Sequence, residues 1–319
     1  MHTRFQTKVS CQLSIVVPMF NEQDVVGVFF DTIIPQLELA TDDYEIVCVN
    51  DGSIDSTWEK LQAHAKQNPR IKLIDLSRNF GKEIALTAGL DHSAGRATIP
   101  IDCDLQDPPE LIPQMFEKWQ QGYHVVLARR IDRSSDSRSK RWTSGNFYKI
   151  MGKFSEIELP QNVGDFRLID RKALDVLNSY PERSRFMKGL FASLGFREYT
   201  LDYTRPERAA GTTKWNYRKL FQLAMEGFIS FTSFPLKVWS YIGATIALIA
   251  FAFGGWMVFK TMMWGVDVPG YASLMVVTCI MSGLILLSLG VIGEYLARIF
   301  TEVKGRPIYI VMEREGFDE

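Results

Sequence analysis

The sequence predicts an α/β protein: a mostly parallel, Rossmann-like sheet domain, then an interfacial amphipathic helix and a two-helix transmembrane hairpin. Three observations predict it. Short β-branched runs alternate with helical segments between residues 13 and 128, the pattern of βαβ units in a sheet covered on both faces. From residue 216 to 232 the apolar residues Tyr217, Leu220, Phe221, Ala224, Phe228 and Phe231 recur at three- and four-residue steps, giving a helix one greasy face. Residues 239–259 and 271–293 contain no charged side chain, and each is long enough to cross a hydrocarbon core of about 30 Å.

Taken in order, residues 1–11 read as a polar tail without the apolar run of a cleaved signal, so none is expected. Residues 13–17 form a short buried strand stopped by Pro18, and Asn21 or Asp24 is placed to cap the helix that follows. A second strand over 45–49 ends in Asn50-Asp51-Gly52-Ser53 and leads to a helix from about residue 55. A strand at 71–76, a helix at 80–92 and a strand at 97–101 follow, then a helix at 109–121 and a strand at 123–128. The basic, polar run 129–141 breaks the rhythm and is expected to be a loop. Helical patterns return at 142–154 and 171–179, a further segment spans 186–194, and 196–203 reads as a strand.

The domain boundaries expected from this are a sheet domain over 12–211, juxtamembrane helices over 212–237, transmembrane helices at 238–260 and 271–293, and a tail from 294 to 319. Lys214, Arg218, Lys219 and Lys237 precede the first span, and Arg298, Lys304 and Arg306 follow the second. The positive-inside rule then puts both termini in the cytoplasm and the short connection outside, in an inner or plasma membrane. A formal net charge of −1 argues neither for nucleic acid nor for an acidic partner, and no nucleic acid is expected. The four cysteines have no paired spacing and the four histidines no zinc pattern. Gly254, Gly255, Gly283 and Gly290 give the hairpin small-residue faces, which suggests a homo-oligomer, a dimer or tetramer.

Chemistry concentrates at strand ends. The stretch IPIDCDLQDPP places Asp102, Asp104 and Asp107 directly after an apolar run. If the strand continues, Asp102, Asp104 and Gln106 share a face as three oxygen donors, suited to Mg²⁺ or Mn²⁺ completed by substrate phosphates. Glu22 after the first strand and Asp51 after the second reach the same crevice, because carboxyl ends of neighbouring parallel strands converge there. No G-x-G-x-x-G follows the first strand and no P-loop motif occurs, so dinucleotide and P-loop readings lose their support.

The segments VVPMFNE, VNDGSIDST, SRNFGKEIALTAGL and DCDLQDPPE, in this order, resemble a family-2 glycosyltransferase of the GT-A type. Their continuation through GDFRLIDRKAL and RPERAAGTTKWNYRKL to a membrane hairpin resembles the polyprenyl-phosphate branch, the bactoprenol glucosyltransferase and dolichol-phosphate mannosyltransferase group. The resemblance implies that Pro18, Phe20, Glu22 and Asp51 hold the nucleotide, with Arg78, Lys82 and Asp102 beside it. Asp102 and Asp104 match the metal ligands, with Gln106 as a third. Cys103 stands where the family often has alanine, and Thr212-Thr213 where many relatives have serines. Asp165 matches the position proposed as catalytic base; Arg129, Arg205, Arg208 and Lys214 match positions near the sugar and phosphates. A phosphate acceptor is mostly ionised at neutral pH, since its second pKa is about 6, so Asp165 is expected to orient groups more than to remove a proton. Asp107 is expected to cap the next helix.

What the resemblance implies is an inverting hexosyl transfer from a nucleotide sugar, UDP-glucose in the leading reading, to polyprenyl (undecaprenyl) phosphate, with Mg²⁺ or Mn²⁺ as cofactor. The lipid-linked sugar would serve cell-surface glycan modification. A UDP-linked aminoarabinose derivative and GDP-mannose stay open as donors. A processive polysaccharide synthase would carry Q-x-x-R-W, and Arg138-Ser139-Lys140-Arg141-Trp142 lacks the glutamine. A transporter would place charge inside its spans, which these lack. A non-catalytic, membrane-anchored nucleotide-sugar binder stays open as well.

Overall fold

A computed structural model describes residues 9–131, 162–183, 185–204, 234–264 and 270–317. The expected loop from residue 132 on, the helix at 142–154 and the amphipathic helix at 216–232 lie outside these residues. The chain divides into two compact units.

The first unit is built on one eight-stranded sheet. In chain order its elements are β1 (Cys11–Met19), α1 (Val26–Ala40), β2 (Tyr44–Asn50), α2 (Thr57–Gln67), β3 (Ile71–Leu76), α3 (Lys82–His92) and β4 (Gly95–Pro100). After a single 3₁₀ turn at Pro109–Leu111 come α4 (Ile112–Gln120), β5 (Val125–Arg130), β6 (Val163–Asp170), α5 (Arg171–Ser179), α6 (Met187–Ala192) and β7 (Glu198–Tyr203). The last strand is β8 (Val311–Glu315). The strand order is β7-β5-β6-β4-β1-β2-β3-β8. Strands β4, β1, β2 and β3 pair in parallel, as βαβ units must. β6 runs antiparallel between β4 and β5, and β8 antiparallel along β3.

The two faces are covered by different helices. Leu13, Ile15 and Val17 of β1 meet Phe29, Phe30, Ile33 and Leu37 of α1 in the main core. Each of these large side chains, fully buried, stabilises the fold by roughly 1.5–3 kcal/mol. On the opposite face α3 lies so close to β1 that a Cβ on Gly89 would sit 2.3 Å from Val16 Cγ1, so only glycine fits there.

Several boundaries differ from the sequence reading. β1 runs two residues past its expected end, through Pro18. The Val16 carbonyl accepts from Ile101 on the β4 side, so Pro18, two residues on, turns its missing N–H toward the same side, where β4 has already ended at Pro100. Neither Asn21 nor Asp24 caps α1, which starts without a side-chain cap. Asn21, at φ 55°, instead accepts the Ile54 N–H on its side chain and donates its own backbone N–H to Ser53 Oγ, tying two strand-end loops together. The N-cap position of the turn that follows falls on Pro108 and not on Asp107, whose Oδ1 accepts the Tyr203 hydroxyl at 2.8 Å. β6 was not expected as a strand, and residues 311–315, expected within a tail, pair with β3.

The second unit contains α7 (Phe234–Trp264) and α8 (Tyr271–Val303), the latter ending ten residues beyond the expected boundary at 293. Both are long and apolar enough to cross a membrane, over Tyr241–Trp264 and Ile280–Val303. Leu248, Phe251, Phe253, Leu286 and Leu287 are exposed, which a helix buried in a soluble core would not permit.

Candidate active site

The carboxyl ends of β1, β2 and β4 open into one cleft of about 440 Å³, within the range of small-molecule sites. Pro18, Phe20 and Glu22 line it from the end of β1, Asp51 from β2, and Asp102 and Asp104 from beyond β4. Asn79, Gly81, Lys82 and Ala85 close it from the β3–α3 connection. Seven of the residues singled out in the sequence therefore meet in one place.

The loops are held by backbone bonds to buried side chains. Asp51, only 2% exposed, accepts the Phe80 N–H on Oδ1 at 2.7 Å and the Gly81 N–H on Oδ2 at 2.9 Å. Burial raises its pKa, and these two bonds work against the rise. Asn50 donates to Asp75 at 2.7 Å and accepts from Ser53 N–H at 3.3 Å, which fixes the turn below. Gly52 sits at φ 65°, and a Cβ there would lie 2.5 Å from the Arg78 carbonyl carbon, so the NDGS turn packs directly on the SRNFGK loop.

The DCD segment is not strand. β4 ends at Pro100, and residues 101–106 turn, with Leu105 at φ 53° and the Gln106 N–H bonded to Asp104 Oδ1 at 3.1 Å. The strict alternation expected for Asp102, Asp104 and Gln106 does not apply: Asp102 and Asp104 line the cleft, whereas Gln106 is buried and is not among its lining residues. Cys103 is buried between them; burial, then the charges of Glu22, Asp102 and Asp104, push its thiol pKa up and keep it unreactive.

Lys82 is the hub. Its Nζ lies 2.7 Å from Asp102 Oδ2 and 3.3 Å from Asp165 Oδ2, joining an acid beyond β4 to an acid on β6. Burial works against the lysine's charge, but Asp102 and Asp165 outweigh it and raise its pKa. Burial also raises the Asp102 pKa, against the pull of Lys82. At Asp165 burial is outweighed by Lys82, Lys188 and Arg167, which hold the carboxyl below its ordinary range. Asp165 Oδ1 is buried with no hydrogen-bond partner. Sequence reasoning missed Glu83, whose Oε2 accepts the Met187 N–H at 3.2 Å and whose pKa is pushed up to about 7 by burial and by Asp165. It missed Arg167 too, fully buried with its guanidinium 4.2 Å from the Phe191 ring centroid. Their only signal was position: Glu83 follows Lys82, and Arg167 shares a strand face with Asp165.

Besides Gln106, and Asp165, which is joined to the cleft through Lys82, two further expected residues stand apart from the cleft lining. Arg78 lies over the Phe80 ring at 4.1 Å. Arg129, at the end of β5, forms a two-bond pair with Asp202 at 2.7 and 3.0 Å. Arg205, Arg208 and Lys214 lie outside the described residues.

A divalent cation fits what is present. Among the described residues no cluster of three or more His, Cys, Asp or Glu gathers. Two cleft carboxylates on a turn match the way Mg²⁺ is held, by one or two carboxylates plus substrate phosphates.

Residues 14–177 match the family described as Glycosyl transferase family 2. An uncharacterized glycosyltransferase of Synechocystis sp. is 49% identical over 97% of this chain and 98% of its own length. A protein of Shigella flexneri named SfII prophage-derived bactoprenol glucosyl transferase is 48% identical over 94% of this chain and 97% of its own. An uncharacterized glycosyltransferase of Bacillus subtilis is 41% identical over 96% and 95%. Matched within its sheet domain by the family, and along nearly all of its length by these relatives, the chain belongs to glycosyl transferase family 2.

Proposed function

We propose that the chain moves a hexose, glucose from UDP-glucose in the leading reading, from a nucleotide sugar to a polyprenyl phosphate at a membrane surface, with inversion at the anomeric carbon. The observation that carries this reading is the Lys82 bridge between Asp102 and Asp165, which puts the donor-side and acceptor-side acids at one point. The name of the Shigella relative supports a lipid-carrier acceptor and glucose as the sugar.

In this reading Pro18, Phe20, Glu22 and Asp51 form the wall against the nucleotide, with Arg78 at its rim. Asp102 and Asp104 would hold Mg²⁺ or Mn²⁺, which when bound supplies Lewis-acid neutralisation of the departing diphosphate. Lys82 adds a permanent positive charge beside the same diphosphate, where a charge-assisted hydrogen bond is strongest. Asp165, held ionised by its basic neighbours, is a weak base, and the acceptor phosphate needs little deprotonation. Its role is to aim Lys82 and to fix the acceptor approach. Arg129, Arg205, Arg208 and Lys214 are assigned to sugar and acceptor phosphates.

Chain connectivity supports a location: one sheet contains chain from before α7 and from after α8, which favours both ends of the helix pair on one side of a membrane. The basic residues flanking the pair favour the cytoplasmic side.

The test is a donor panel. Purified protein is incubated with undecaprenyl phosphate and labelled UDP-glucose, a UDP-linked aminoarabinose derivative or GDP-mannose, and label in the organic phase is counted. Label from UDP-glucose that depends on Mg²⁺ or Mn²⁺ and disappears in Asp104→Ala is expected. Transfer from a different donor replaces the sugar; transfer from none in the panel overturns the reading.

A further inference from the structure

Lys82 occupies the place where a cation belongs. Asp102 Oδ2, one of the carboxylate oxygens available to a metal in the cleft, is already engaged by Lys82 Nζ at 2.7 Å. An ammonium and a divalent ion repel each other across the few ångströms that sharing Asp102 would impose. A metal binding at Asp102 therefore meets the lysine as a competitor.

The lysine is built to move. It is the first residue of α3, and its side chain is 48% exposed. Gly81 before it sits at φ 97° with open space where a Cβ would be, so no side chain wedges the turn. A second acceptor waits within reach: Asp165 Oδ2 is 3.3 Å from Nζ, and Asp165 Oδ1 is buried without a partner. A diphosphate arriving in the cleft brings negative charge that attracts the metal and the displaced ammonium together.

Resting on the metal-dependent transfer proposed above, we propose that Lys82 competes with the divalent metal for Asp102 and so makes metal uptake depend on the donor diphosphate. The empty enzyme then holds bare metal poorly. Once metal takes Asp102, Nζ passes to Asp165 and the diphosphate, where it serves the transfer. Linkage makes the coupling reciprocal: the metal tightens nucleotide by the same factor as nucleotide tightens metal.

The test reads metal binding, not turnover. Mn²⁺ is titrated into the full-length protein in detergent, with and without UDP, and free Mn²⁺ is followed by electron paramagnetic resonance. Lys82→Met and Lys82→Gln are compared with wild type, with thermal melts to confirm that each is folded. Without UDP both variants are expected to bind Mn²⁺ more tightly than wild type, on the order of tenfold. UDP should raise Mn²⁺ affinity more in wild type than in either variant. Folded variants that bind Mn²⁺ without UDP no more tightly than wild type overturn the inference. If wild type then still takes up Mn²⁺ with UDP, and Asp104→Ala abolishes that uptake, the metal site stands and only the role of Lys82 falls. Absence of Mn²⁺ uptake in every protein, even with UDP, overturns both.

Discussion

Asp51 and Gly81 are joined by a 2.9 Å hydrogen bond from the Gly81 N–H to Asp51 Oδ2, while Oδ1 takes the Phe80 N–H. The acid that the NDGS motif presents is thus also the clasp of the loop carrying Lys82. A carboxylate has about four lone-pair positions, so two such bonds leave capacity for a ligand donor.

Replacing Asp51 by alanine leaves two half-buried N–H groups without acceptors, at a cost of roughly 2 kcal/mol or more. The expected result is a lower melting temperature together with a higher KM for the nucleotide sugar, because the Lys82 loop loses its anchor. Asp51→Asn, which keeps an acceptor, should fall between the two. An alanine variant with unchanged melting and KM would remove Asp51 from this role.

Asp165 titrates below the ordinary carboxylate range because Lys82, Lys188 and Arg167 outweigh its burial. Asp165→Asn is expected to lower kcat roughly a hundredfold through lost orientation. That loss should stay flat from pH 6 to 9. Recovery at high pH would instead identify proton removal as the lost function.

Glu83 behaves oppositely. Its ordinary value of 4.5 is raised to about 7, first by burial and then by the negative Asp165. Between those values the folded protein keeps a proton that the unfolded chain has released, so the stabilisation present below pH 4.5 is lost as pH rises through 7. Glu83→Gln removes this loss, and its melting temperature relative to wild type should climb by a few degrees between pH 5 and 8. Asp165 is ionised in both states across that window, and His92 is common to both proteins, so neither affects the difference. A difference that is constant with pH would refute the assignment.

Glu45 is the buried tie at the far end of the sheet. It accepts Ser14 Oγ and the Ala94 N–H, both at 2.5 Å, and pairs with Lys72 at 2.6 Å, while only 2% exposed. Removing one member of a buried pair strands the other, so Glu45→Ala should destabilise by roughly 3–5 kcal/mol. The site lies at the opposite strand ends from the cleft, and nucleotide KM should be unchanged in whatever remains folded. Chemical denaturation measures the first, donor kinetics the second.

The parallel core was legible because each of its strands is a short apolar run followed by a helical period. β6 was not, because Asp165 and Arg167 interrupt its apolar alternation; Arg167 is buried all the same, against Phe191. β8 was not, because Val311-Met312-Glu313-Arg314-Glu315 is an edge strand, mostly polar, and paired only with β3. At the site, convergence of strand ends brought Glu22, Asp51 and Asp102 together as expected. The turn after Pro100 and the Lys82 bridge were hidden, since both depend on where loops fold back and not on any local period.

The antiparallel β8 sets an order of events during synthesis. A ribosome makes β3 long before β8, and both apolar helices emerge in between. Until the last residues arrive, the nascent domain keeps β3 as an open edge, the kind of strand that recruits unwanted partners. Closing that edge late means that a chain stalled between the two helices carries the parallel core of its sheet but leaves β3 unpaired along that border.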